Sequence, residues 1–138
     1  MAVRFRVSTS QTGRRRDVQV VVYDRLEDLQ EAASKYNGEN MGTFRNALAV
    51  SHPRRTWYVH EDGTETQYRN AGVVRFWREN MGAAVVAHEM THMGLAIYRD
   101  DMKRAPLGNM KNEETLCHIV SDLVRAANWK FWQLGVYK

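Results

Sequence analysis

Residues 83–98 carry an uninterrupted helical pattern, and within it stands His88-Glu89-Met90-Thr91-His92. No proline interrupts the segment, and Ala84, Val85, Leu95 and Ala96 offer apolar positions that can anchor it to a core. Positions four apart on an α-helix lie on one face, so both imidazoles can meet a single ion. Neutral imidazole suits Zn²⁺, at a metal–nitrogen distance of about 2.0–2.1 Å. Glu89 follows the first histidine directly, so its carboxylate can sit beside the ion without occupying it and take a proton from water there. A pattern fixing three residues arises by chance in roughly one of a hundred chains of this composition. Its place on an amphipathic helix raises its weight.

The elements around this helix are those of a mixed α+β domain. Val18-Gln19-Val20-Val21-Val22-Tyr23 is rich in β-branched and aromatic residues and reads as a buried strand. Asp24 and Glu27 have capping-box spacing, and Leu26, Leu29, Ala32, Ala33 and Tyr36 then repeat at helical spacing up to Asn37-Gly38. Residues 47–51 and 56–60 read as short strands, and Asp62-Gly63 favours a hairpin after the second. Residues 72–77 form a further strand, in which Arg75 points to one exposed face. Beyond the histidine helix, residues 99–112 are a polar connection. A last helix then runs over 113–132, with Leu116, Ile119, Val120, Leu123, Val124 and Ala127 on its apolar side. The aromatic tail from Trp129 to Tyr137 reads as core packing. The expected architecture is a small mixed sheet against three helices, one domain over residues 1–138, with the histidine motif on the central helix.

Composition narrows the classes further. Of 138 residues, 43% are hydrophobic and 26% charged, which excludes a disordered or low-complexity chain. The single cysteine, Cys117, excludes an internal disulfide framework and suits a reducing cytoplasm. No apolar run approaches membrane-span length, and the N-terminus lacks the pattern of a secretory signal. Net charge is +4, and the surplus lies in residues 1–60, where ten Lys/Arg face six Asp/Glu. Arg14-Arg15-Arg16 and Arg54-Arg55 are its clusters. They read first as solvated loops, since no aromatic-interleaved basic stretch accompanies them; nucleic acid is the weaker expectation.

A catalytic zinc site needs a third protein ligand and an open position. The histidine continuation of the metzincins is absent, because no histidine lies between His92 and His118. Asn112-Glu113-Glu114-Thr115-Leu116-Cys117-His118, at the start of the last helix, offers carboxylates instead. In His88-Glu89-Met90-Thr91-His92 and the downstream Glu114-x-x-Cys117, the chain resembles the minimal gluzincin metallopeptidases. These include thermolysin-like domains and short metallopeptidase-like proteins encoded by bacteriophages. The resemblance covers roughly residues 70–125. It implies that His88, His92 and Glu114 bind zinc and that Glu89 is the general base of peptide-bond hydrolysis. Glu113 is the rival third ligand, and His118 could replace either glutamate or support the site from behind.

Cys117 would then be a small residue packed between helices, and Tyr98, about one and a half turns beyond His92, a candidate for a transition-state role. The strand at 72–77 would be the edge strand that holds an extended peptide, unless it is a buried central strand. The implied setting is a host cytoplasm and a protein or peptide substrate. A different class of function also fits these residues: a non-catalytic zinc-containing phage protein that binds a host protein or nucleic acid through its Arg-rich N-terminal part.

Overall fold

A computed structural model describes residues 2–37, 47–103 and 105–137. In chain order these form β1 (Ala2–Thr9), β2 (Arg16–Tyr23), α1 (Leu26–Asn37), β3 (Ala49–Pro53), β4 (Trp57–Val59), β5 (Glu65–Gln67), β6 (Asn70–Trp77), α2 (Ala83–Asp101) and α3 (Met110–Gln133). The fold is α+β. Four strands make a mixed sheet in the order β1-β2-β6-β3, and β4 with β5 makes a separate hairpin. Strands β2 and β6 run parallel, while β1 and β3 add antiparallel at the two edges. No helix among the described residues is long and apolar enough to cross a membrane.

Strand β1 had no counterpart in the sequence reading. Val3-Arg4-Phe5-Arg6-Val7 does alternate, but its arginines dilute the apolar signal. Pairing along all of β2, from Ala2↔Tyr23 to Thr9↔Arg16, stabilises it instead. The expected stop at Gly38 lies outside the described residues.

The near-continuous apolar run of β2 has a simple cause: both of its faces are covered. Val18, Val20 and Val22 point with Val74 and Phe76 of β6 into a core closed by Val86, Met90, Met93 and Ile97 of α2 and Ile119, Leu123 and Phe131 of α3. Val21 and Tyr23 point the other way, with Val50 and Val73, onto Leu29 and Ala33 of α1. The helices are thus split, one on one face of the sheet and two on the other. Each fully buried Leu, Met or Phe side chain here contributes about 1.5–3 kcal/mol.

Two glycines permit close approaches that position α2. A Cβ on Gly94 would stand 2.6 Å from Val120 Cγ2, so α3 lies directly against α2 at that level. Gly72 has φ +139°, and a Cβ there would meet the His52 carbonyl at 2.2 Å and Met93 Cε at 2.8 Å. Only glycine suits both that backbone and the tight junction of β6, β3 and α2.

Several local expectations are corrected. Of the anchoring set read in sequence, Ala96 is buried and Val85 packs on the core, but Ala84 is exposed, and the fully buried stripe of α2 is Val86, Met90, Met93 and Ile97. Arg75 does not mark an exposed face. It is buried beneath the Tyr36 ring, 5.5 Å from its centroid, and donates to the Tyr23 hydroxyl. Phe131 of the aromatic tail packs edge-on against Phe5 and Phe76, at 5.3 and 5.6 Å, yet Trp129 and Trp132 are 62% and 69% exposed. Cys117 is exposed rather than packed between helices. Arg16 is no solvated loop residue: its Nε and Nη2 grip Asp101 at 2.8–3.1 Å, with the two side chains 3% and 1% exposed.

Candidate metal centre

The helix α2 begins at Gly82, which acts as its N-cap, and presents His88 and His92 outward because the opposite stripe is fixed in the core. The two Nε2 atoms converge to 3.3 Å, with ring centroids 4.9 Å apart and planes at 77°. Two nitrogens bound tetrahedrally to one zinc at about 2.0–2.1 Å stand about 3.3–3.4 Å apart. The imidazole pair therefore already has the spacing of one edge of a zinc tetrahedron. Both rings are exposed, so solvent reaches the point where they meet.

Glu89 lies a third of a turn round the helix and faces the sheet, with its side chain only 9% exposed. Its Oε2 accepts a hydrogen bond from Ser51 Oγ of β3. Its Oε1 lies 4.0 Å from His88 Nε2, beside the imidazole pair but clear of it. Neither Lys nor Arg pairs with Glu89 among the described residues. Buried carboxylates ordinarily have a cation or metal for a partner. A dication between the two imidazoles would offset this one.

A cleft of about 330 Å³ opens on the same side, lined by Ser51 and Pro53 of β3 with Glu89, His92 and Arg99 of α2. Strand β3 pairs with β6 only, so its outer edge borders the cleft and has no strand on it among the described residues. Of the two roles left open for 72–77, the buried central strand is the one found, since β6 is enclosed between β2 and β3. Neither Ser51 nor Arg99 was singled out in the sequence. Arg99 stands eleven residues from His88 on the same helical stripe, which was a legible signal, whereas the partnership of Ser51 with Glu89 depends on how β3 docks.

The third ligand is not assembled with the other two. Among the described residues no group of three His, Cys, Asp or Glu side chains is gathered to hold a metal. Glu114 Oε2 lies 3.5 Å from His118 Nε2, an i,i+4 pair on the exposed face of α3, with the side chains 57% and 60% exposed. Glu113 is also exposed, on the stripe of Val120 that meets Gly94. His118 is thus a surface histidine rather than a half-buried one. Tyr98 is buried and donates to the Ala105 carbonyl at 2.9 Å, so it braces the α2–α3 connection instead of facing the site. His52 is buried under the Tyr36 ring, and His60 lies 2.5 Å from Thr66 Oγ1; neither stands with the imidazole pair.

Comparison with known proteins yields no match: no family model, no curated protein and no solved structure.

Proposed function

We propose that the chain is a zinc-dependent peptidase of gluzincin type, hydrolysing a peptide bond at the His88–His92 pair. The observation that carries this reading is the 3.3 Å separation of the two Nε2 atoms with the buried Glu89 carboxylate beside them. When bound, the metal supplies Lewis acidity, polarising a carbonyl oxygen and lowering the pKa of water to about 7.

His88 and His92 would hold the ion through Nε2. Ser51 Oγ–H occupies Oε2 of Glu89, which fixes the carboxylate plane and leaves Oε1 as the oxygen that takes the proton from water. The same Oε1 then delivers that proton to the leaving amine. The open edge of β3 can pair with an extended peptide in β-augmentation, which favours a polypeptide over a compact substrate. Glu114 is the third ligand in this reading. Recruiting it would part its exposed i,i+4 pair with His118 and bring the start of α3 toward the imidazoles.

The test is hydrolysis of a quenched fluorescent peptide mixture by zinc-loaded protein. Glu89→Gln should retain zinc at the wild-type stoichiometry while the rate falls by about 10²–10⁴. Glu114→Gln should lower zinc affinity more than Glu113→Gln does. Full hydrolysis by Glu89→Gln would remove the mechanism. Zinc retention with no hydrolysis by the wild type would favour the non-catalytic zinc-protein reading.

A further inference from the structure

The basic residues of the N-terminal part do meet aromatic rings, but across the fold rather than along the chain. At the base of the β4–β5 hairpin, Arg14 Cζ lies 5.2 Å and Lys103 Nζ 4.0 Å from the centre of the Trp57 ring. Arg54 Cζ lies 4.8 Å over Tyr68 and Arg55 Cζ 5.1 Å over Tyr58. The two tyrosine rings meet edge to face at 5.7 Å. Arg54, Arg55 and Lys103 are exposed and Arg14 half-exposed.

None of these four cations has an ion pair among the described residues. The two carboxylates at the end of α2 have partners of their own. Asp101 is closed by Arg16, and Asp100 Oδ2 accepts the Thr56 N–H at 2.9 Å. Glu61, Asp62 and Glu65 sit toward the far end of the hairpin, past the Tyr58↔Thr66 pair, and bound the patch on that side.

Trp57 and Tyr58 point to opposite faces of the hairpin, so Arg54 and Arg55 on the tyrosines form one concentration of charge and Arg14 and Lys103 on the indole another, neither with an ion pair among the described residues. An anionic ligand would turn the repulsion within either into attraction. The geometry also selects the kind of anion. A guanidinium held over a ring keeps its N–H edge for a phosphate and its outer face for a base, and base stacking requires unpaired bases. We propose that the Tyr58–Tyr68 face of the β4–β5 hairpin, formed by Arg54, Arg55, Tyr58 and Tyr68, binds single-stranded nucleic acid. This surface is independent of the peptidase reading and does not need the metal.

Fluorescence anisotropy with a labelled oligothymidylate of about 15 nucleotides tests it. Wild-type protein should bind at low salt, with a log–log salt slope of about −1.4 from two phosphate contacts on a single strand. The double variant Arg54→Ala/Arg55→Ala should bind about tenfold more weakly or worse, with a shallower slope. Arg54→Lys/Arg55→Lys keeps the charge and loses the planar stack, so it should keep the slope and still lose affinity. Both arginines are exposed, and an unchanged circular dichroism spectrum would show that the variants are folded. Absence of binding at low salt would overturn the proposal. So would full affinity in the alanine variant, equal affinity for polyglutamate, or tighter binding of the matching duplex.

Discussion

At the C-terminal end of α2, Asp101 has partners all round: Arg16 through two nitrogens, Thr12 Oγ1 at 2.6 Å, and Thr56 Oγ1 at 3.4 Å. About two and a half to three and a half turns earlier on the same helix, His92 and His88 have only each other and, at 4.0 Å from His88, the edge of Glu89. One cluster of ionisable groups is saturated by the protein and sealed from water. The other is open, converging and short of a partner. A buried ion pair with every lone pair answered is a fastening, here tying the β1–β2 turn to α2 and the hairpin. Two exposed nitrogens held 3.3 Å apart have the spacing of ligands to one ion.

Substitutions can break this contrast. The largest stability loss is expected at the sealed end. Asp101→Ala leaves the Arg16 guanidinium buried without its anion and should cost about 3–5 kcal/mol in denaturant unfolding. If it costs less than 1 kcal/mol, the pair is not the fastening described. Next come the open-end variants, His88→Ala and His92→Ala. They should leave the metal-free protein's stability within about 0.5 kcal/mol of wild type, because both rings are exposed. They should also abolish the stabilisation of about 2.7 kcal/mol expected of the wild type at zinc a hundredfold above its Kd. A zinc-induced rise in melting temperature that survives both substitutions would place the ion elsewhere.

The smallest effect concerns Asp17, a neighbour of the sealed cluster. Burial pushes its carboxyl up, but hydrogen bonds from Ser8 and Arg15, with the charges of Arg15 and Arg6, outweigh that and hold it below the usual range. A lowered folded-state value means the unfolded chain takes the proton first. This contribution is therefore whole above the ordinary aspartate value of about 3.9 and is lost as pH falls through the lowered one. Asp17→Asn should flatten the acid side of a stability–pH curve and leave its neutral side parallel to wild type. An unchanged acid limb would show that Asp17 is not held low.

Legibility in the sequence followed the range of the interactions. The helices α1, α2 and α3 and the strand β2 could be read because apolar spacing repeats within each segment. Glu114 illustrates the limit. Its helix and its spacing from His92 are in the sequence, yet the direction its side chain takes depends on how α3 rolls against Gly94. Arg14, Arg15 and Arg16 look alike as a run, and the fold treats them separately: one over an indole, one bonded to Asp17, one buried against Asp101.

The sequence alone determined that His88 and His92 share a face and that Glu89 stands beside them, because those relations lie within one turn of an α-helix and need nothing else. Tertiary structure decided that Ser51 holds Glu89, that β3 rather than β6 is the open edge beside the cleft, and that Arg54 and Arg55 rest on Tyr68 and Tyr58. Those relations depend on strand order and helix docking. Both are set by which apolar faces bury each other, and no local period encodes them.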